Sequence, residues 1–143
     1  MTHPYPGECE IRLYAPDGSY VILSEWRGGH NENVFYGTLF TDLALNLVSS
    51  YVFSNNIVAS PLKPEEPFSK FIDKNPNGQW KLWINNNDEH IYPGKLDGFI
   101  LNIQGNFLFS LFFFLKKKIL KRWMFKWKSM RKWDLCFNRN NNF

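Results

Sequence analysis

Residues 8–18 read ECEIRLYAPDG, an alternating segment that ends in a turn. Cys9, Ile11 and Leu13 face one way and the charged residues between them face the other, which is the pattern of a half-buried β-strand. Pro16 then presets a turn dihedral and Gly18 tolerates a positive φ. Because a second β-rich run follows at once over residues 19–25, this region predicts a β-hairpin.

Three more strands are predicted, over residues 34–40, 79–84 and 98–103. The two later runs follow turns that contain Pro and Gly, which punctuate β structure. Within 79–84 every second residue is apolar, so we expect Trp80 to be buried in the core.

The segments between these strands show no long amphipathic helix. Residues 42–53 are apolar and fit either a strand or a helical turn, whereas residues 60–67 hold three prolines and predict an extended surface loop. Short strands separated by Pro and Gly turns indicate an all-β fold, a β-sandwich or jelly roll.

Charge divides the chain into two unlike parts. The whole chain of 143 residues has a net charge of +4, but residues 1–105 carry 7 basic and 12 acidic side chains, and residues 106–143 carry 10 basic and one acidic. We therefore predict a β domain over 1–105 and a basic, aromatic tail over 106–143, either helical or disordered. The tail fits a membrane-surface helix, a nucleic-acid patch or a segment without selected structure. Of these three interpretations we set aside the second, and we predict no nucleic-acid partner.

No pattern in the sequence points to catalysis. The chain has three histidines, His3, His30 and His90, and it lacks the G-x-S-x-G and H-E-x-x-H patterns. Two cysteines exclude a disulfide-dense scaffold and a Cys-only zinc site. The N-terminal residues lack the order of a secretory signal peptide. We therefore assign no catalytic or cofactor-binding residue.

Calcium is the one metal that the sequence brings into consideration. Oxygen ligands are available from turn aspartates and from the run at residues 85–89, NNNDE. That run lacks the spacing of a calcium loop, and Asn and Asp also favour turns for backbone reasons. A solvated turn is the preferred interpretation. The aspartates concerned are Asp17, Asp42, Asp73, Asp88 and Asp97.

Trp83 is the first candidate interface residue. It lies three positions after Trp80, so the two side chains point to opposite faces of one strand. With Trp80 in the core, Trp83 is either exposed as an interface anchor or covered by a loop of the same domain.

Several motifs, in order, resemble those of the P domain (Homo B domain) of proprotein convertases and related subtilisin-like serine proteases. The resemblance covers residues 3–105. It rests on HPYPGECEIRLYAPDG at 3–18, RGG at 27–29 with TLFTDLA at 38–44, PFSKF at 67–71, NPNGQWKL at 75–82, and GKL at 94–96 with FILNI at 99–103.

The resemblance implies a jelly-roll β-sandwich, similar to galactose-binding domains, packed on a subtilisin-like catalytic domain that holds the whole catalytic triad. It also implies a secretory or extracellular location. His3 matches the family's histidine, which makes it the second candidate interface residue. We expect it to bond a neighbouring strand or loop, with pH sensing as the alternative.

The chain departs from the family pattern in several places. Glu8-Cys9 replaces the usual Asp-Leu, Phe99 replaces a Trp, and the tail has no counterpart. The strands that usually precede the histidine are not in this sequence, so we interpret the domain as truncated at its N-terminus. A sheet edge left open in this way makes an isolated domain marginally stable.

The function predicted from the sequence is that of a non-catalytic P-domain fragment of a subtilisin-like serine endopeptidase, stabilising and regulating the protease domain. The alternative is a free-standing jelly-roll module for binding or adhesion. A third interpretation tethers the domain to a membrane surface through the tail.

Overall fold

The structure, a computed structural model, describes residues 1–87, 94–105 and 130–136. Within these ranges the chain forms strands and short 3-10 helices, which confirms the all-β prediction; the jelly-roll connectivity stays a prediction. The strands are β1 (Cys9–Tyr14), β2 (Tyr20–Glu25), β3 (Leu39–Thr41), β4 (Lys81–Asn86), β5 (Ile100–Gly105) and β6 (Met130–Cys136), and the 3-10 helices are Pro6–Glu8, Val48–Ser50 and Phe68–Phe71.

The first sheet has the order β2-β1-β4, with both pairs antiparallel. The predicted hairpin is present: Tyr14 pairs with Tyr20, and the Ala15 N–H donates to the Ser19 carbonyl at 2.8 Å. Gly18 has φ of 83°, the left-handed conformation that the turn requires. β1 therefore lies in the middle of this sheet, with a partner on each side.

The second sheet has the order β3-β6-β5, again antiparallel. Its middle strand, β6, comes from the segment that the sequence analysis assigned to a helical or disordered tail, so that expectation is wrong for Met130–Cys136. The physical reason is backbone pairing on both sides, which a reading of local composition does not include. The domain boundary at residue 105 stays a prediction, and the rest of the tail lies outside the described residues.

The core gathers apolar side chains from both sheets and from the loops between them. Its largest members are each at most 1% exposed, and burying each one stabilises the fold by about 1.5–3 kcal/mol. They are Ile11, Leu13, Val21, Leu23, Val34, Phe35, Phe40, Leu62, Phe68 and Phe71.

Trp80 is half-buried rather than fully buried, which corrects the sequence prediction. It precedes β4 and packs edge-on against Phe71 with ring centroids 5.2 Å apart. Its indole N–H donates to the Pro76 carbonyl at 2.9 Å. Because a tryptophan N–H needs an acceptor, the ring sits at the core margin, where a surface turn supplies one.

The strand predicted over residues 34–40 is much shorter, because the chain turns through residues 32–37 before β3 begins. The Tyr36 N–H donates to the Asn33 carbonyl at 3.0 Å, and the Thr38 hydroxyl bonds the Val34 carbonyl at 3.3 Å. These local bonds satisfy backbone groups that a sheet would otherwise use. Val34 and Phe35 still lie in the core. The apolar pattern therefore predicts their burial correctly, but it predicts a strand where the chain forms a turn.

The proline-rich segment at residues 60–67 is extended as predicted, but part of it is buried. The Leu62 N–H donates to the Leu39 carbonyl at 2.9 Å, and the Thr41 N–H donates to the Leu62 carbonyl at 2.9 Å. Leu62 and Pro64 are both buried. The segment covers the outer edge of β3, which otherwise would present unpaired backbone groups.

Asp42 joins this region to the last 3-10 helix, Phe68–Phe71. Its two carboxylate oxygens accept the N–H groups of Phe68 at 2.9 Å and Ser69 at 3.0 Å. The helix has no capping side chain of its own, so a residue 26 positions earlier satisfies its first donors. The contact fixes the helix that buries Phe68 and Phe71.

We predict that Asp42→Ala lowers the free energy of unfolding by about 1–2 kcal/mol, because two backbone donors lose a charged acceptor. Asp42→Asn should lose less, since the amide oxygen still accepts one N–H. Urea unfolding followed by circular dichroism measures both. Glu32→Ala, which removes an exposed carboxylate, is the control, and an Asp42→Ala loss no larger than the control's would contradict the proposed cap.

Candidate functional site

The face of the first sheet that points away from the core carries charged and aromatic side chains. Since Ile11 and Leu13 of β1 point into the core, Arg12 between them points outward. In the strand register Arg12 lies opposite Trp83 of β4 on one side and Ile22 of β2 on the other. We define the Arg12 cluster as Glu10, Arg12, Tyr14, Tyr20 and Trp83.

The guanidinium of Arg12 stacks on two aromatic rings of this cluster. Its Cζ atom lies 4.8 Å from the ring centroid of Tyr20 and 4.9 Å from that of Trp83, which is cation–π geometry. The Tyr14 and Tyr20 rings are 5.1 Å apart. These contacts connect all three strands of the first sheet through side chains as well as backbone.

An ion pair neutralises the charge at the centre of the cluster. The Arg12 Nε–H donates to Glu10 Oε1, and the two side chains are 25% and 6% exposed. The hydrogen bond to Glu10, and to a smaller extent the one to Tyr14, raises the pKa of Arg12 above its ordinary value. The face therefore presents aromatic surface with an internally paired charge.

Trp83 is half-buried and lies on the face expected from the sequence. Tyr20, which stacks on the same guanidinium, is 41% exposed, so the Arg12 cluster retains accessible aromatic surface. The cover on Trp83 includes Arg12, a residue of the neighbouring strand rather than a loop. The role of Trp83 as an interface anchor stays a prediction.

His3 is 3% exposed and is held by backbone groups. Its Nδ1 accepts the Tyr5 N–H at 3.0 Å, and its carbonyl accepts the Asn33 N–H at 3.1 Å. A Cβ placed on Gly94 would lie 2.4 Å from His3 Cδ2, so only glycine fits there. These contacts tie the first residues to the 94–96 segment, where Thr2 and Lys95 form a bridge. Such a position suits the structural role expected of His3, and its candidate interface role stays a prediction.

A cavity of about 240 Å³ lies beside His3. Its lining is mainly apolar and includes Cys9, Ile84 and Leu96. Within the described residues no group of three or more His, Cys, Asp or Glu side chains is placed to hold a metal ion. The described part of the lining thus offers mainly packing surface, and residues 88–93 lie outside the described residues.

Three of the five turn aspartates considered for calcium, Asp17, Asp42 and Asp97, contact protein donors. Asp17 accepts the Ser19 hydroxyl and N–H and the Lys74 ammonium at 2.9 Å, and these bonds, with the Ser19 hydroxyl largest, lower the pKa of Asp17 to about 2. Asp42 caps the 3-10 helix, and Asp97 pairs with Lys95 at 2.6 Å. Asp88 lies outside the described residues, so the calcium prediction for the 85–89 run stays untested.

A further surface, which sequence reasoning missed, is the leucine loop, defined as residues 43–47. Leu43, Leu45 and Leu47 are 68%, 97% and 44% exposed, while Ala44 between them is buried. A signal for it was available in the sequence, since residues 43–62 contain no charged side chain. The sequence of residues 42–53 fits either a strand or a helical turn, and neither pattern predicts three leucines that point to solvent.

Membrane insertion through a helix finds no support in the part of the chain that is described: none of its helices has the length and hydropathy to cross a bilayer.

Comparison with known protein families identifies a match. The family model described as proprotein convertase P-domain matches residues 1–103. No curated protein and no solved structure matched the chain. The matched range ends within β5 and includes every residue of the Arg12 cluster and of the leucine loop.

We predict that Arg12→Met destabilises the domain by more than the matched change Arg27→Met. Arg27 pairs with Glu65 at a more exposed site, with side chains 38% and 17% exposed. Removing Arg12 leaves the nearly buried Glu10 carboxylate without its partner, whereas exposed pairs contribute little. Adding Glu10→Gln should restore much of the loss. Urea unfolding of the wild type, Arg12→Met, Glu10→Gln and the double variant measures the coupling between Arg12 and Glu10. Equal losses for Arg12→Met and Arg27→Met would contradict the prediction.

Proposed function

The chain belongs to the proprotein convertase P-domain family, and on that premise we propose that it is the non-catalytic accessory domain of a subtilisin-like serine endopeptidase. Its role is to pack on the protease domain, stabilise it and regulate its activity in proteolysis. The observation that carries the proposal is the family match over residues 1–103. Membership implies association with a protease catalytic domain.

The contacts of the histidines support assigning the chemistry to the partner domain. His3 accepts a backbone N–H through Nδ1, and His30 packs edge-on against Tyr5 with ring centroids 5.0 Å apart. A serine nucleophile needs a histidine base that is itself oriented by a carboxylate. His3 and His30 make these packing and backbone contacts, and His90 lies outside the described residues. Following the family membership, we propose that the catalytic triad belongs to the partner domain.

Stabilisation of a partner follows from mass action. A domain that binds the folded protease but not the unfolded one raises the protease's free energy of unfolding. The increase grows with the ratio of the domain's concentration to the dissociation constant, and is about 4.1 kcal/mol when that ratio is a thousand. A short flexible connection to the protease supplies an effective concentration in the millimolar range. An accessory domain can therefore stabilise strongly through a contact of only moderate affinity.

The family context also bears on location. Proteins with this domain are typically secretory or extracellular. We propose the same compartment for this chain.

The test uses a recombinant subtilisin-like convertase catalytic domain without its own P domain, joined through a flexible linker to residue 1 of this chain. We expect the melting temperature of the catalytic domain to rise, by roughly 2–4 °C for each kcal/mol gained, and its activity to persist longer at elevated temperature. Differential scanning calorimetry and residual peptide hydrolysis measure the two effects.

The control fusion carries Leu13→Asp, which places a charge in a fully buried position and prevents folding of the accessory domain. Equal melting temperatures for the two fusions would contradict the proposed function. Ligand-dependent stabilisation of the unfused chain on a glycan or protein array, together with that result, would favour the free-standing binding module instead.

A further inference from the structure

We propose that the leucine loop is the surface through which this domain docks on an uncharged, apolar face of its catalytic domain. The inference rests on the proposed function and specifies which part of the domain makes the contact. Its basis is the exposure, the rigid anchoring and the charge pattern of residues 43–62.

The exposure of the loop is concentrated in a short segment. Leu45 is 97% exposed, Leu43 68% and Leu47 44%, so three large apolar side chains reach solvent within five residues. Single exposed leucines are ordinary on protein surfaces, but a cluster marks a site of interaction. Two further residues of the same uncharged stretch, Val52 and Ile57, are also exposed.

The loop is held in place from beneath. Ala44, between Leu43 and Leu45, is 4% exposed, and Val48, next to Leu47, is 1% exposed. The Ala44 N–H donates to the Thr41 carbonyl at 3.1 Å, the Lys63 N–H to the Asn46 carbonyl at 2.7 Å, and the Val48 N–H to the Lys63 carbonyl at 2.9 Å. A backbone ordered in advance loses little conformational freedom on binding, which favours a docking role.

The charge pattern defines the chemistry of the partner. One residue in five of the whole chain is charged (21%), yet residues 43–62 have none. The flanking Asp42 carboxylate is already used by the N–H groups of Phe68 and Ser69. Among the described contacts of the loop, Lys63, which forms a bridge with Leu47, brings one charge, so a highly charged partner surface would lose more hydration here than one counter-charge returns. Nucleic acid and anionic lipid both require several Lys or Arg side chains, so the fitting partner is an uncharged protein surface.

The size of the patch favours a tethered domain over a second copy of this chain. The exposure of the three leucines adds up to about two fully exposed residues. A stable free-standing dimer buries about 800 Å² on each partner, which requires many more residues. Contacts between domains of one chain form at high effective concentration, so a smaller apolar patch is enough.

The experiment compares variants of the fusion of this chain with the catalytic domain. One carries Leu43→Ser, Leu45→Ser and Leu47→Ser together, and a second carries Leu45→Ser alone, whose nearly complete exposure makes any effect on folding small. Ile72→Ser, at an isoleucine 38% exposed outside the loop and outside the cavity, is the matched control. We expect the triple variant to lose more than half of the rise in melting temperature, the single variant to lose part of it, and the control to retain it.

Each other outcome identifies which statement fails. A triple variant that folds and keeps the full rise would overturn the docking surface and leave the accessory function intact. No rise with the wild-type fusion would contradict the accessory function itself. If the unfused chain sediments as a dimer and the triple variant as a monomer, the loop binds a second copy, which would also overturn the inference.

Discussion

The two-sided pairing of β1 is the constraint on which the rest of the domain depends. Pairing with β2 and β4 fixes the register of β1, and the register decides which side chains face the core and which face outward. Ile11 and Leu13 consequently lie in the core, and Arg12 lies among aromatic rings on the outer face. A shift of one residue would place the ion-paired Arg12 inside and the core residues in water.

The sequence predicts well the parts of this fold that depend on neighbouring residues. The β1–β2 hairpin follows from alternation and from the Pro16 and Gly18 turn, and both are found in the structure. Residues 34–38 were misread because their apolar pattern reports burial, while turn hydrogen bonds determine the element. Residues 130–136 were misread because a strand completed by partners distant in sequence leaves little trace in local composition.

The candidate surfaces also combine features that the local sequence predicts with features that depend on contacts distant in sequence. The outward position of Trp83 follows from strand periodicity, but its stacking with Arg12 depends on the register between β1 and β4. The leucine loop escaped prediction because its exposure results from long-range anchoring by Lys63 and by the Asp42 cap. A docking surface of this kind becomes recognisable only when the side chains beneath it are known to be buried.

Native-state hydrogen exchange of the isolated chain tests most directly whether β1 organises the domain. The account predicts that β1 amides exchange only through global unfolding, with opening free energies equal to that from urea denaturation. Amides in the exposed loop around Leu45 should exchange through smaller openings. Exchange of the β1 amides at the rate of that loop, well below the global limit, would contradict the account.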